Sequence, residues 1–303
     1  MTKPESLFDI LVVLGPTASG KTRLAVALAV EFGGEIISAD SRQVFRGMDI
    51  GSGKDLHEYG SVPHHLIDIL AAGEEFSVFD FQRRYVNACA DIISRTAVPI
   101  LCGGSGMYLD AALRGYRMVE VPYNEALRTA LADCTDVELV EELRRLKPDQ
   151  HNNTDLLDRE RTVRAIEIAR GEEDGCAVCE PLPKMQAHVI GIHWERETLR
   201  RRITERLRHR LDNGMIEEVE FLHASGIAWE RLDYYGLEYR FVGAYLRGEM
   251  NKNDMFQKLN SAIHNFAKRQ GNWFRRMERH GVFINWIDGS GDQVIQARES
   301  IKK

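Results

Sequence analysis

The sequence predicts an α/β fold, a P-loop-type parallel sheet flanked by helices with an inserted helical domain. Three observations predict it. Short apolar runs closing on glycine-rich turns alternate with helical patterns over the first 119 residues. A charged stretch with no strand pattern follows, from about 120 to 187. Strand composition then returns in "HVIGIHW" and again in "VFINWID". Strands that alternate with helices form parallel sheets covered on both faces.

Taken in order, "LVVL" from Leu11 to Leu14 reads as the first strand, and a helical pattern from Thr22 to about Phe32 follows its glycine turn. "GEIISAD" is a second strand ending on Asp40, and "HHLIDIL" a third. "FSVFDFQRRYVNACADIISR" has the 3.6-residue rhythm of an amphipathic helix. "AVPILCGGSGMYLDAAL" repeats strand, glycine turn and helix. The segments "NEALRTALADCTDVELVEELRRLKPD" and "DLLDRERTVRAIEIARG" are helical and charged, and Thr198 to Arg279 is again mostly helical. The expected organisation is a first part of the core at 1–119, an inserted helical arm at 120–187, and core completion with basic C-terminal helices at 188–303.

Composition narrows the classes. With 44% hydrophobic and 28% charged residues in 303, the chain reads as an ordinary globular protein. It has no apolar run near the ~20 residues of a membrane span and no signal-peptide core, so a cytoplasmic protein with no membrane partner is expected. Five scattered cysteines do not suggest a disulfide framework, and the C-x-x-C at Cys176 and Cys179 has no second pair to complete a zinc site. The net charge of -6 argues against indiscriminate nucleic-acid coating, yet "RETLRRRITERLRHR" and "KRQGNWFRRMER" are strongly basic.

Gly15, Gly20, Lys21 and Thr22 fit G-x-x-x-x-G-K-[ST] between a strand and a helix. Such a loop turns backbone N–H groups toward an anion at a helix N-terminus. Lys21 supplies a point charge, and Thr22 a hydroxyl for Mg²⁺. Ligands of open α/β sheets gather beyond the carboxyl ends of the strands, so Asp40 and this loop should open onto one crevice. Strand "AVPILCGG" ends in Gly103-Gly104-Ser105, without the aspartate that usually holds magnesium. Asp40 is then the best-placed carboxylate for a base or an outer metal contact; the alternative is that it caps a turn with Ser41.

Several motifs in one order, "GPTASGKT", "ISADSRQVFRGMDIGSGK", "HHLIDI", "FSVFDF", "GGSGMYL", "RERTVRAIE" and "AKRQGNWFR", span nearly the whole chain. In them the chain resembles the tRNA dimethylallyltransferases, or tRNA isopentenyltransferases. The resemblance implies transfer of a dimethylallyl group from dimethylallyl diphosphate to N6 of adenosine 37 in the anticodon stem-loop of tRNA, with Mg²⁺ as cofactor. It assigns Asp40 as general base and Ser105, where a threonine is more usual, as a polar contact at the reacting centre. Gly15, Thr17, Ala18, Ser19, Gly20, Lys21, Thr22 and Arg164 would hold the donor diphosphate. Asp40, Ser41, Arg42, Gln43, Ser105, Arg128, Arg161 and Arg164 would meet tRNA, with Gln43 able to pair with an adenine edge. Lys268, Arg269 and Arg275, interleaved with Phe266, Trp273 and Phe274, suit a grip on RNA phosphates. For Arg161 and Arg164, on one helix face, the competing reading is an ion-pair surface with Glu160 and Glu167; Trp273 is expected in the core rather than as a stacking platform. The chain departs from the bacterial "GYKE"-like turn, reading "YYGLEYRFVGAYLRGE" over Tyr234 to Arg240 and beyond. A monomer is expected. The rival readings are a prenyltransferase acting on free AMP, ADP or ATP, a small-molecule P-loop kinase, and a noncatalytic nucleotide switch.

Overall fold

A computed structural model describes residues 8–115, 121–148, 159–173 and 185–302. The chain divides into two compact units, one of Met1–Gly115 with Pro183–Lys303 and one of Tyr116–Leu182.

The larger unit is built on a parallel sheet. Its strands are β1 (Ile10–Leu14), β2 (Gly34–Ala39), β3 (His64–His65), β4 (Val98–Gly103), β5 (Ala187–His193) and β6 (Asn285–Asp288), in the order β3-β2-β4-β1-β5-β6. Every described pairing is parallel, as alternation with helices requires. The sheet explains the wholly apolar strands: Ile10, Val12 and Leu14 of β1 pack into one core and Leu11 and Val13 into another. Both faces are covered, so both sets of alternate residues must be hydrophobic. The third strand is shorter than "HHLIDIL" suggested. Only His64 and His65 join β2, and the chain then turns through Leu66 and Asp68, both at positive φ, in a loop that bridges Phe45 to Leu70.

Helix α1 (Lys21–Phe32) packs Leu24, Ala25 and Leu28 on one face of the sheet with Ala297 and Ile301 of the last helix (Gln293–Ile301). The other face carries α2 (Val78–Ser94) and α3 (Gly106–Arg114). A capping box between Ser77 and Asp80 starts α2, the signal "FSVFD" carries. In the smaller unit α4 (Glu125–Leu131), α5 (Asp136–Leu146) and α6 (Arg159–Glu173) close around Leu127, Leu131, Leu139, Leu143, Val163 and Ile166. Asn124 and a Thr135–Glu138 capping box begin α4 and α5.

The second half of the larger unit runs through α7 (Arg196–Asp212), α8 (Met215–Ala224), α9 (Trp229–Tyr235), α10 (Leu237–Leu246) and α11 (Lys252–Arg279); the last helix is then α12. Helix α11 buries Met255, Leu259, Ile263, Ala267, Gln270, Phe274 and Met277, a stripe at helical spacing that leaves Lys268, Arg269 and Arg275 exposed on the opposite side.

Candidate active site

The loop from Gly15 to Thr22 leaves β1 and enters α1 through two residues at positive φ, Ala18 at 61° and Gly20 at 90°. Gly20 is suited to that geometry; Ala18 adopts it against its own preference, and the surroundings hold it there. Arg202 donates from Nε to the Ala18 carbonyl at 2.9 Å, and Trp194 from Nε1 to the Ser19 carbonyl at 3.0 Å. Gln293 reaches the same Ser19 carbonyl at 3.5 Å. These bonds engage the Ala18 and Ser19 carbonyls of the loop. The amides of Lys21 and Thr22 precede the first α1 bond, from the Leu24 N–H to the Gly20 carbonyl at 3.1 Å, and so belong to the orphan donors of a helix start.

Not every loop amide serves an incoming anion. The Thr17 N–H donates to Gln270 Oε1 at 2.9 Å, and the Ser19 N–H to the Pro16 carbonyl at 3.3 Å. Sequence pattern treats the loop as one cradle; the fold uses two of its donors internally.

On the far side of β4 from the loop's strand, β2 ends at Ala39 and Asp40 follows. Asp40 Oδ1 accepts from the Arg42 N–H at 2.9 Å, which fixes the carboxylate in an Asx turn. The turn expected as an alternative to a functional role is thus present, and it leaves the second carboxylate oxygen to other work. Ser105, at the head of α3, donates its N–H to the Ala39 carbonyl at 3.3 Å and accepts at Oγ from the Ser41 N–H at 3.4 Å. Asp40 and Ser105 are thereby brought to neighbouring strand ends and are both half-buried. Arg42 turns the other way, donating to the Tyr234 carbonyl at 2.9 Å with its guanidinium 5.3 Å above the Tyr234 ring. The unusual "YYGLEYR" turn therefore packs on the Asp40 segment.

Gln43 is placed differently from the expectation that its amide reads an adenine. It is 9% exposed, accepts from the Ser38 hydroxyl at 2.8 Å and donates to the Gly53 carbonyl at 3.1 Å. In this structure it braces the 43–53 loop. Two further side chains hold that loop. Glu218 accepts from the N–H groups of Asp49, Ile50 and Gly51 at 2.8, 2.6 and 2.9 Å and from the Tyr239 hydroxyl at 3.0 Å. Lys54, fully buried, donates to the Phe45 carbonyl and to Asp49, both at 2.6 Å, and to Asp68.

The electrostatics of the crevice are cationic. Burial pushes Lys21 below the ordinary lysine value, and Arg206 and Arg210 push the same way, while Cys102 and Asp40 oppose them. The Cys102 thiol is itself raised by burial to about 12 and is neutral at pH 7, so Asp40 supplies the opposing charge. Arg206 pairs with Asp55. Arg210, lowered to about 10 chiefly by burial, meets Glu238 only at 3.8 Å, and its Nε has no hydrogen-bond partner. A buried guanidinium with an unpartnered N–H and its nearest carboxylate at 3.8 Å is what an anionic ligand relieves.

A magnesium ion fits the donors present. Thr22 offers a hydroxyl and Asp40 a carboxylate, and among the described residues no cluster of three or more His, Cys, Asp or Glu side chains could hold a metal unaided. Magnesium keeps waters and takes phosphate oxygens, so such a sparse oxygen set is enough when the substrate brings its own.

In the smaller unit, Arg128 forks onto Glu167 from Nε and Nη2 at 2.8 and 2.9 Å and reaches Glu160 at 2.5 Å. Arg164 donates to Glu167 at 3.1 Å and to the Val121 carbonyl at 2.7 Å. Both guanidiniums lie over the Tyr123 ring, at 4.4 and 4.7 Å. For Arg164 the ion pair expected as an alternative is present, and Arg128 joins it on the same Glu167, which is 2% exposed. Arg161 is exposed on the same helix. The cysteines of the C-x-x-C lie outside the described residues.

On α11, Lys268, Arg269 and Arg275 are exposed, with Arg269 over the Phe266 ring at 5.8 Å. Phe274 is core, and Trp273 is half-buried against Gly106, where an added Cβ would lie 2.5 Å from the Trp273 side chain. Sequence reading missed Trp194, Arg202, Arg206, Arg210, Gln270 and Gln293. One signal was present: Arg202, Arg206 and Arg210 recur every four residues and so share one face of α7.

A family model described as "IPP transferase" matches residues 43–277, and one described as "Isopentenyl transferase" matches 8–61. The chain is 65% identical over 299 residues to "tRNA dimethylallyltransferase 2" of Trichlorobacter lovleyi, covering 99% of this chain and 98% of that one. It is 66% identical over 294 residues to the protein of the same name from Pelobacter propionicus, covering 97% and 94%. Among solved structures, the tRNA isopentenylpyrophosphate transferase of Bacillus halodurans superposes with a TM-score of 0.71 at 31% identity, over 97% of this chain and 95% of that one. A eukaryotic dimethylallyltransferase acting on tRNA shares the fold, with a TM-score of 0.74 at 22% identity over 96% and 77% of the two chains. Matched by the family model over most of its length and by these relatives from end to end, the chain belongs to the IPP transferase family, as a tRNA dimethylallyltransferase.

Proposed function

We propose that this transferase moves the dimethylallyl group of dimethylallyl diphosphate to N6 of adenosine 37, beside the anticodon of tRNA, with Asp40 as general base. One observation supports the reading: the phosphate loop and a carboxylate fixed by its own turn follow β1 and β2, the two strands that flank β4, with Lys21 in the field of Asp40. The bond from the allylic carbon to the diphosphate oxygen breaks, its electron pair leaving with diphosphate. The N6 lone pair forms the new C–N bond, and the N6 proton passes to Asp40. The exocyclic amine is a weak nucleophile because its lone pair is delocalised into the ring, so a base within reach lowers the barrier.

Lys21, the helix-start amides, Arg206 and Arg210 would bind the diphosphate and stabilise the charge that develops on it. Mg²⁺, held by Thr22 and the diphosphate oxygens, would add charge neutralisation on the leaving group. Ser105 would hold the acceptor base against Asp40. The adenosine must leave its stack, at an unstacking cost of a few kcal/mol, which the exposed cations of α11 help to offset by holding neighbouring phosphates.

Purified protein with Mg²⁺ and radiolabelled dimethylallyl diphosphate, offered unmodified tRNA or AMP, ADP and ATP, tests this. Label in tRNA, mapped to the adenosine beside the anticodon, is expected. Label in free nucleotide alone would replace the acceptor, and no label with tight ATP binding would remove the prenyl donor.

A further inference from the structure

Gln270 is a polar side chain in the buried stripe of α11, 5% exposed. Its amide is used from both ends. Oε1 accepts from the Thr17 N–H in the phosphate loop, and Nε2 donates to the Gly104 carbonyl in the turn that carries Ser105, each at 2.9 Å. The junction is tight. A Cβ on Gly104 would collide with the Gln270 amide and come within 3.0 Å of the Gly15 carbonyl oxygen, so loop, turn and amide meet at one point. A buried amide bridging two backbone segments fixes their separation, because moving either leaves a buried polar atom unsatisfied.

We propose that Gln270 is a positioning residue that sets the gap between the donor's diphosphate seat and the acceptor-side serine, an inference that rests on the prenyl transfer proposed above. One end of the gap is the phosphate loop, held at Thr17. The other is Ser105, whose own amide and hydroxyl are tied to Ala39 and to Ser41, on either side of Asp40. Gln270 therefore spans from leaving group to base without touching either substrate. Transfer between two bound reactants is steep in their separation, and an error of about 1 Å costs on the order of a hundredfold in rate.

Two substitutions separate the two ends. Gln270→Glu is isosteric and still accepts from the Thr17 N–H, but it sets a carboxylate oxygen against the Gly104 carbonyl. Gln270→Leu removes both bonds. The measurements are calorimetry with inorganic diphosphate and Mg²⁺, kcat and KM for labelled transfer to tRNA, and the melting temperature. Gln270→Glu is expected to keep diphosphate affinity within about threefold while kcat falls about 10- to 100-fold. Gln270→Leu is expected to weaken diphosphate binding about tenfold as well. Ser105→Ala added to Gln270→Leu should cost less than Ser105→Ala alone, since the serine is already misplaced.

Wild-type kcat and diphosphate affinity in both variants would overturn the proposal. So would a lowered melting temperature with both quantities unchanged at a permissive temperature, which would make Gln270 a brace and nothing more. If the wild-type protein transfers no prenyl group to tRNA, the proposed reaction fails first, and the diphosphate arm still decides the positioning role. Unchanged affinity in Gln270→Leu overturns it, and the tenfold loss sustains it.

Discussion

Of the two readings that the sequence allowed for Asp40, the turn is seen and is compatible with the proposed base. One carboxylate oxygen closes an Asx turn on the Arg42 amide, and this is what aims the rest of the group. Asp40→Asn keeps an acceptor for that turn, so donor affinity by calorimetry should be unchanged while kcat falls by ~10²–10⁴; equal turnover would take Asp40 out of the mechanism. Far from the crevice, Glu35 makes a second residue-scale prediction. The Arg95 guanidinium beside it, seconded by His65, holds its carboxyl below the usual 4.5 against a smaller opposing push from burial. A depressed carboxylate stabilises the fold above its unfolded value and loses that contribution as pH falls through the folded one. Glu35→Gln should lower stability by about 1 kcal/mol at pH 7, the half-exposed Arg95 limiting the effect. The gap between variant and wild type should close below about pH 4.5, as denaturant midpoints at several pH values would show. Gln43 marks where residue-level reading stopped. Its type and spacing suit an adenine edge, and only the fold shows Ser38 and Gly53 already engaging its amide.

Among the elements, those whose cause is local were legible. The strand, glycine turn and helix around Lys21 follow from apolar run, turn chemistry and period, and so does α2 with its Ser77 cap. β3 was less so, because a two-residue strand has too few positions to show a period. Helix α11 was legible as helical and basic, and the structure adds its two faces: buried residues recur at helical spacing and cations fall between them. That separation makes its outer face testable without disturbing its packing. Replacing exposed Lys268 and Arg269 by Gln should leave the melting temperature within about 1 °C, since exposed charges contribute little to stability. Apparent KM for tRNA should rise, and the slope of log KM against log salt should fall by about one to two units for two lost phosphate contacts. An unaltered slope would place that face away from RNA. The arginines of α6 carry the opposite lesson. Arg164 and Glu167 stand at i and i+3, so an ion pair was predictable from spacing, but the convergence of Arg128 from α4 on the same carboxylate was not.

At the scale of the whole molecule, sequence order and spatial order part company. The parallel sheet was legible because strands and helices alternate along the chain, whereas the clamps on the phosphate loop come from places no local pattern connects to it. Trp194, Arg202, Gln270 and Gln293 lie 175, 184, 253 and 274 residues beyond the loop groups they bind. That separation has a consequence in time. A ribosome making this protein has long finished the glycine-lysine-threonine motif when α7, α11 and α12 emerge, and until α7 docks, Ala18 lacks the Arg202 bond to its carbonyl. The nascent chain thus owns the motif well before it owns the side chains that hold the loop in shape. Contacts so distant in sequence form late, because loop closure must precede them. In refolding of the full chain, far-UV circular dichroism should recover first and diphosphate binding last; simultaneous recovery would show that the loop holds its shape without its distant clamps.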